Sequence, residues 1–286
     1  MSVAGGLDRA IDRIMAVKGE ALQIFSRNQR QWRVAPLKER EANDFRQARV
    51  KWGPQLPVAI HNSYLVNLAA SDRQIVEKSI ASMIEEFFRA RRLGIKFIIM
   101  HPGSHRGSGI ETGLNRLVRG IDTVYEKTGA TGQIMLLLET TAGQGTSLGS
   151  RFEELAYVLD RARYARDLGI CLDTCHIFAA GYDIGTPAAY AETMELFARR
   201  IGMKHLHFFH LNDSKAELGS RKDRHEHIGR GQIGVAGFRL LLNDERFAHH
   251  PMVLETPKKT DLKEDVENLS ILRNLLSKKS PWNMAG

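Results

Sequence analysis

Residues 73–101 are RQIVEKSIASMIEEFFRARRLGIKFIIMH, a helical pattern followed by an apolar run. In the first part Ile75, Ile80, Met83, Ile84, Phe87 and Phe88 recur at helical spacing, and the charged residues are expected on the opposite face. Gly94 follows as a C-terminal stop. The chain then runs through IKFIIM and meets His101. A short run with almost no polarity before its last residue reads as a strand covered on both faces, as in a parallel sheet.

The same unit recurs along the chain. Apolar runs occupy ALQIF (21–25), PVAIH (57–61), IKFIIMH (95–101), QIMLLLE (133–139), GICLD (169–173), HLHFFH (205–210) and PMVLE (251–255). Helical patterns lie between them, among them RFEELAYVLDRAR and YAETMELFARRIG. Strand then helix at intervals of roughly 35 to 45 residues predicts an α/β protein, a (β/α)₈ TIM barrel. No Pro- or Ser-rich linker interrupts it, so residues 1–286 are expected to form one domain, with 276–286 a frayed tail. Seven runs are present where a barrel needs eight. The opening segment MSVAGGLDRAIDRIMAVKG reads as a loop and a first helix, so the barrel is expected to lack its first strand.

Composition bounds the rest. Of 286 residues, 43% are hydrophobic, enough for a full core. No window nears the ~18 unbroken apolar residues that a membrane span needs. No signal peptide opens the sequence, and the two cysteines, Cys171 and Cys175, lack C-x-x-C spacing. A reducing cytoplasm is the expectation. A formal charge of +8 favours polyanions, nucleic acid first, though many soluble proteins are mildly basic without binding any.

Six runs end in His61, His101, Glu139, Asp173, His210 and Glu255. In a βα barrel these ends share the C-terminal rim, where active sites form. One strand-end histidine is most often structural; six imidazoles and carboxylates on one rim are harder to dismiss. Carboxylates held together repel, and a divalent cation removes that cost. Imidazole with carboxylate suits zinc, with manganese and iron as competitors. His176 follows Asp173 by three residues, and Asp223 and His225 alternate within RKDRHEHIG, so both can face one ion from extended backbone. His227 has the same parity and is the weakest of these candidates. His105 is left open as a neighbour of the cluster. Alternation in HLHFFH sets His205 and His207 on the face opposite His210, and His249 and His250 read as loop residues.

The runs LDTCHIFAAGYD, HLNDSKAELGSRKDRHEHIGRGQIG, HNSYLVNLA, HPGSH, LLLETTAGQG and VLET resemble endonuclease IV, a zinc-dependent apurinic/apyrimidinic endonuclease family, over nearly the whole chain. The resemblance implies three zinc ions in a DNA-binding barrel, with Mn²⁺ as a possible substitute. One ion would take His61, His101 and Glu139. Glu139 would bridge to a second, completed by Asp173, His210 and Glu255. The third would take His176, Asp223 and His225. Cys175 would be a packed neighbour. The implied reaction is hydrolysis of the phosphodiester 5′ to an abasic site in double-stranded DNA, leaving a 3′-hydroxyl and a 5′-deoxyribose phosphate. A metal-bound hydroxide would attack, and Glu139 and Glu255 would be the catalytic carboxylates. Arg30, Tyr64 and Leu65 would enter the duplex. In SRNQRQWR (26–33), Arg27, Arg30 and Arg33 are expected to meet phosphates, and Trp32 or Gln31 could also enter the stack. Lys215, Arg221, Lys222, Arg224 and Arg230 would add positive charge near the third ion. A cytoplasmic monomer is expected. Family members start with a strand carrying a Gly-x-His segment just before the SVAGGL match, so the natural start is expected upstream of Met1.

Two other classes are weighed. A metal-dependent sugar isomerase or epimerase also gathers His, Asp and Glu at strand ends, but needs a small closed pocket rather than a basic surface. A catalytically silent DNA-binding relative would not need a complete ligand set.

Overall fold

Each of the seven apolar runs forms a strand. In a computed structural model, which describes residues 1–259 and 261–277, the elements in chain order are α1 (Asp8–Ala16), β1 (Leu22–Ile24), α2 (Glu39–Trp52), β2 (Val58–His61), α3 (Arg73–Leu93), β3 (Phe97–Met100), α4 (Ile110–Thr128), β4 (Met135–Glu139), α5 (Phe152–Arg161), β5 (Leu168–Asp173), α6 (Thr174–Ala180), α7 (Pro187–Arg200), β6 (Leu206–His210), the short strands β7 (Asp213–Ser214) and β8 (His225–Glu226), α8 (Gly234–Leu242), β9 (Met252–Val253) and α9 (Lys263–Leu275). Most of the tail read as frayed, from residue 278 on, lies outside the described residues.

The chain packs as two compact units. The first is Met1–Glu139, Thr146–Gly149 and Glu153–Ile170; the second is Thr140–Gly145, Ser150–Phe152 and Cys171–Gly286. β5 is divided between them, Leu168–Ile170 in the first and Cys171–Asp173 in the second. Within the first unit the strand order is β1-β2-β3-β4-β5. Pairing there is parallel, with Leu22 opposite Val58, Ile60 opposite Ile98 and Ile99 opposite Leu137. Within the second unit the order is β5-β6-β9, with Phe209 opposite Met252 in parallel register, and β7 pairs with β8 as an antiparallel ribbon.

The strands are buried because both faces are covered: all of β1, β2 and β5 is buried, and all of β4 beyond Met135. Helix ends follow their local chemistry. Asp72 caps α3 by accepting from the Gln74 and Ile75 amides at 2.8 and 3.2 Å, a contact worth about 1 kcal/mol. Gly94 ends that helix at φ 68°, where a side chain would be strained.

The buried face of α3 differs from the apolar stripe. Met83 and Phe87 are buried, but Phe88 is 42% exposed and Ile75, Ile80 and Ile84 are only half-buried. Ser79, Ser82, Glu86 and Arg89 take the inner positions instead. The helical period holds and its phase is shifted, because polar side chains with internal partners lie on the inner face. Tyr125 of α4 shows the same logic in the first unit. Its buried hydroxyl lies 3.0 and 2.8 Å from the carbonyls of Ile134 and Asp167 and accepts from the Leu136 amide at 3.1 Å. Burial pushes its phenol well above the usual tyrosine range.

Candidate metal centre

In the second unit, Asp173 is the last residue of β5 and the N-cap of α6. Its Oδ1 accepts from the His176 amide at 2.8 Å, three residues on, as a capping carboxylate does. That use of one oxygen turns the chain sharply and sets His176 in the first turn of the helix. The other oxygen accepts from Asn212 Nδ2 at 2.6 Å and lies 3.8 Å from His210 Nδ1 and 3.8 Å from His225 Nε2. Asp-Thr-Cys-His is thus a strand end and a helix cap in one, and both ends of it present donors to the same region. Thr174 fastens the junction: its hydroxyl donates to the Asn212 carbonyl at 2.7 Å and accepts from the Asn212 amide at 2.8 Å.

His210 ends β6 and is fully buried. Its Nδ1 lies 3.3 Å from Glu255 Oε2. Asn212 serves both carboxylate-bearing residues, since its Oδ1 accepts from the Glu255 amide at 2.8 Å. β8 carries His225, and the preceding turn carries Asp223. His176 Nε2 is 3.3 Å from Asp223 Oδ2, His225 Nε2 is 3.3 Å from Asp223 Oδ1, and the two imidazole nitrogens are 3.4 Å apart. Asp223 keeps 44% of its side chain exposed, so this trio is the most open of the groups.

The histidine hydrogen bonds fix which nitrogen faces inward. His176 Nδ1 is 2.8 Å from the Thr140 carbonyl and His225 Nδ1 is 3.2 Å from the Glu255 carbonyl. A carbonyl only accepts, so each Nδ1 carries a proton, and in the neutral imidazoles each Nε2 turns a lone pair toward the other. Two lone pairs and a carboxylate then converge. Such a set suits a divalent cation in the place of an imidazolium proton. All the ligand atoms of His176, Asp223 and His225 lie within 4.8 Å of one another.

The first unit repeats the arrangement. His61, ending β2, holds Nδ1 2.8 Å from the Asn62 carbonyl and presents Nε2 3.0 Å from Glu139 Oε2. His101 Nε2 approaches the same oxygen at 3.2 Å. Glu139 and His61 are buried, and His101 is half-buried. Again the three ligand atoms lie within 4.8 Å of one another.

Cys175 is buried, and its sulfur lies within 4.8 Å of ligand atoms of Asp173 and His225. Burial, and then the charge of Asp173, pushes the thiol up to about 12. His227 turns elsewhere: its Nδ1 meets Asn268 Nδ2 at 3.1 Å. His105 Nδ1 accepts from the Gly109 amide at 3.2 Å.

Asp213, buried beside Asn212, organises the loop beyond. It accepts from the amides of Ser214, Gly229, Gly231 and Ile233 at 2.8 to 3.0 Å. A Cβ on Gly231 would fall 2.4 Å from the Ser214 carbonyl oxygen, so the backbone passes too close for any other residue. Of the basic residues nearby, Arg221, Lys222 and Arg224 are exposed, while Lys215 pairs with Glu226 at 3.6 Å and Arg230 with Glu267 at 3.4 Å.

The residues expected to enter DNA lie on two joined loops of the first unit. The Ser63 hydroxyl donates to the Gln29 carbonyl at 2.7 Å. Arg30 is exposed and Leu65 half-buried, in a turn rather than a helix. Tyr64 is 60% exposed, yet its ring packs 5.3 Å from that of His61 and 5.6 Å from that of His101. Arg27 differs from expectation: its guanidinium is buried, 3.0 Å from Glu86, and does not reach out as a phosphate contact.

These observations define the class. Residues 11–275 match the family described as the xylose isomerase-like TIM barrel, and the chain belongs to it; its fold is a TIM barrel. Within that class the chain belongs to the endonuclease IV family. It is 48% identical over 276 residues to the probable endonuclease 4 of Chloroflexus aurantiacus, covering 96% of each. It is 46% identical to that of Geobacter sulfurreducens, over 98% of this chain and 94% of the relative. The crystal structure of endonuclease IV from Thermus thermophilus matches with a TM-score of 0.85 and 36% identity, covering 96% of both chains. A D-tagatose 3-epimerase-like protein matches at TM-score 0.72 and 17% identity over 96% and 94%, a likeness of fold alone. No helix among the described residues is long and apolar enough to cross a membrane.

Proposed function

We propose that this chain is a metal-dependent DNA-repair endonuclease that hydrolyses the phosphodiester 5′ to an abasic site in duplex DNA. The products are a 3′-hydroxyl and a 5′-deoxyribose phosphate. Relatives named endonuclease 4 at 44% to 48% identity support the activity. One observation carries the metal dependence: imidazole Nε2 lone pairs and carboxylates converge with every assignable ring proton turned away to a carbonyl. In this reading His61, His101 and Glu139 hold one zinc ion, Asp173, His210 and Glu255 a second, and His176, Asp223 and His225 a third, with manganese a possible substitute. Bound there, divalent cations would acidify a water molecule and neutralise charge on the phosphate.

The chain's own groups do the rest. The Asn62, Thr140 and Glu255 carbonyls lock three imidazoles in the tautomer that leaves Nε2 unprotonated. Asn212 keeps the Asp173 carboxylate oriented. Glu139 and Glu255 are the carboxylates on which the chemistry turns. Arg30, Tyr64 and Leu65 fill the gap in the duplex left by the missing base, where no base has to be unstacked. The protein acts as one barrel domain and a monomer, in the cytoplasm, where its two cysteines stay reduced. Glu139→Gln is expected to abolish incision of an abasic duplex with zinc present. Incision at the wild-type rate by that variant would overturn the assignment.

A further inference from the structure

α3 presents a buried charged cluster that the chemistry above does not use. Glu86 is the centre. It pairs with Arg27 Nε at 3.0 Å and accepts from the Ser26 hydroxyl. The Arg27 guanidinium also donates to the Ser82 hydroxyl. One turn on, Arg89 donates through Nε to the Ser26 hydroxyl at 2.9 Å, to the Ser26 carbonyl, and to the Ala35 carbonyl at 3.5 Å. Arg92 reaches the Leu37 carbonyl. Glu86, Arg27 and Arg89 are all nearly free of solvent contact.

Every one of these bonds joins α3 to residues 26–37, the segment that carries Arg30. The segment has no regular secondary structure, so its shape must come from elsewhere. α3 holds it from beneath at both ends, and Ser63 holds Gln29 from the side. At the crest Asn28 Oδ1 accepts from the Arg30 amide at 2.9 Å, closing a short Asx turn. Arg30, Gln31 and Arg33 are left exposed. Buried charges are costly unless paired, and here Glu86 is paired with Arg27 and Arg89 is hydrogen-bonded to Ser26, while Arg27 Nε meets Glu86 as an ion pair without hydrogen-bond geometry. A solvent-facing loop gains nothing in solubility from such a cluster.

We infer that Arg27, Glu86 and Arg89 are positioning residues: they fix the 26–37 strap so that Arg30 is presented in one conformation to the damaged duplex. Arg27 acts inside the protein, not on a phosphate. This rests on reading Arg30 as a DNA contact. The cost of misplacement is large because a shift of about 1 Å can lose a hundredfold in rate or binding.

The test uses the full chain with zinc, in wild-type, Arg27→Met, Arg27→Lys, Glu86→Gln and Arg30→Ala forms, and the double variant Arg27→Met/Arg30→Ala. Arg27→Met is expected to raise KM on an abasic duplex about tenfold or more while kcat changes by less than about threefold. Arg27→Lys, which keeps the charge and one donor, should recover part of the loss. In the Arg30→Ala background, adding Arg27→Met should leave the slope of log affinity against log salt unchanged, because Arg27 itself meets no phosphate. In the double variant the two effects should fall well short of multiplying. A further fall in that slope by about one would make Arg27 a phosphate ligand and overturn the inference. So would an unchanged KM, or fully multiplicative effects. Amide hydrogen exchange gives a readout apart from activity, and serves if Arg27→Met does not fold. In Glu86→Gln the amides of 27–35 should exchange faster while those of β2 to β4 do not; unchanged exchange in the strap would refute the anchor. A wild-type chain that leaves abasic DNA intact would sink the proposed function, while the exchange result would still judge the anchor.

Discussion

Asn212 touches two of the carboxylate-bearing residues at once, through Nδ2 to Asp173 and through Oδ1 to the Glu255 amide. Its removal frees the Asp173 carboxylate and leaves the Glu255 backbone amide without its acceptor. Asn212→Ala is therefore expected to weaken metal retention by about 10- to 100-fold, measured by competition with a chelator, with the fold retained. Metal retention equal to wild type would show that Asn212 orients nothing. Cys175 gives a second check. As a buried thiol held up near 12, it should resist iodoacetamide in the native chain at pH 8 and react once the chain is unfolded. Rapid native modification would contradict its environment. The nine residues were legible as candidates: six close an apolar run, His176 follows one of these by three residues, and Asp223 and His225 form an Asp-x-His pair in a loop. Asn212 and the carbonyls of Asn62, Thr140 and Glu255 were not. A backbone carbonyl has no sequence signature, and an asparagine two residues past a strand end looks like any turn residue.

At the scale of elements, the helices are tied to the strands through a few buried polar contacts. Tyr125→Phe removes the hydroxyl between the Ile134 and Asp167 carbonyls and the Leu136 amide, and should cost about 1–3 kcal/mol in urea unfolding. A loss within error of zero would mean that water or a neighbour replaces it. Near α8, burial alone would raise the Asp244 carboxyl, but hydrogen bonds from Arg246 and Tyr190 outweigh it and hold it below the usual aspartate range. A depressed carboxyl contributes stability that is present above the unfolded value and lost as pH falls through the folded one. Asp244→Asn should accordingly flatten the acid side of the stability curve and leave neutral pH less affected by titration. An unchanged acid slope would contradict the shift. All seven strands could be read from sequence because a buried parallel strand is apolar throughout. The inner face of α3 could not, since Glu86 and Arg89 look like solvent-facing charges until the strap from 26 to 37 covers them.

For the whole molecule, the proposed function makes charge the first determinant of how duplex DNA would be met. Lys215 and Arg230 are engaged with Glu226 and Glu267, so the residues left to meet phosphates in that loop are Arg221, Lys222 and Arg224. Each replaced by Ala should lower the salt slope of duplex binding by about one at most, and a flat salt dependence in the wild type would exclude a phosphate-led interface. The sequence made the barrel and the basic surface visible together. It did not reveal which arginines are internal, because ion pairing across distant segments is a property of the fold. In the proposed function, imidazoles and carboxylates gathered at the strand ends hold cations that cut DNA beside a lost base. That function is tested most directly by measuring metal content and incision of one abasic duplex on the same preparation. About three divalent ions per chain and a single nick on the 5′ side of the lesion are expected, both lost on exhaustive chelation and restored by zinc. A chain that keeps its metal, leaves the abasic duplex whole and turns over a keto-sugar would contradict that function.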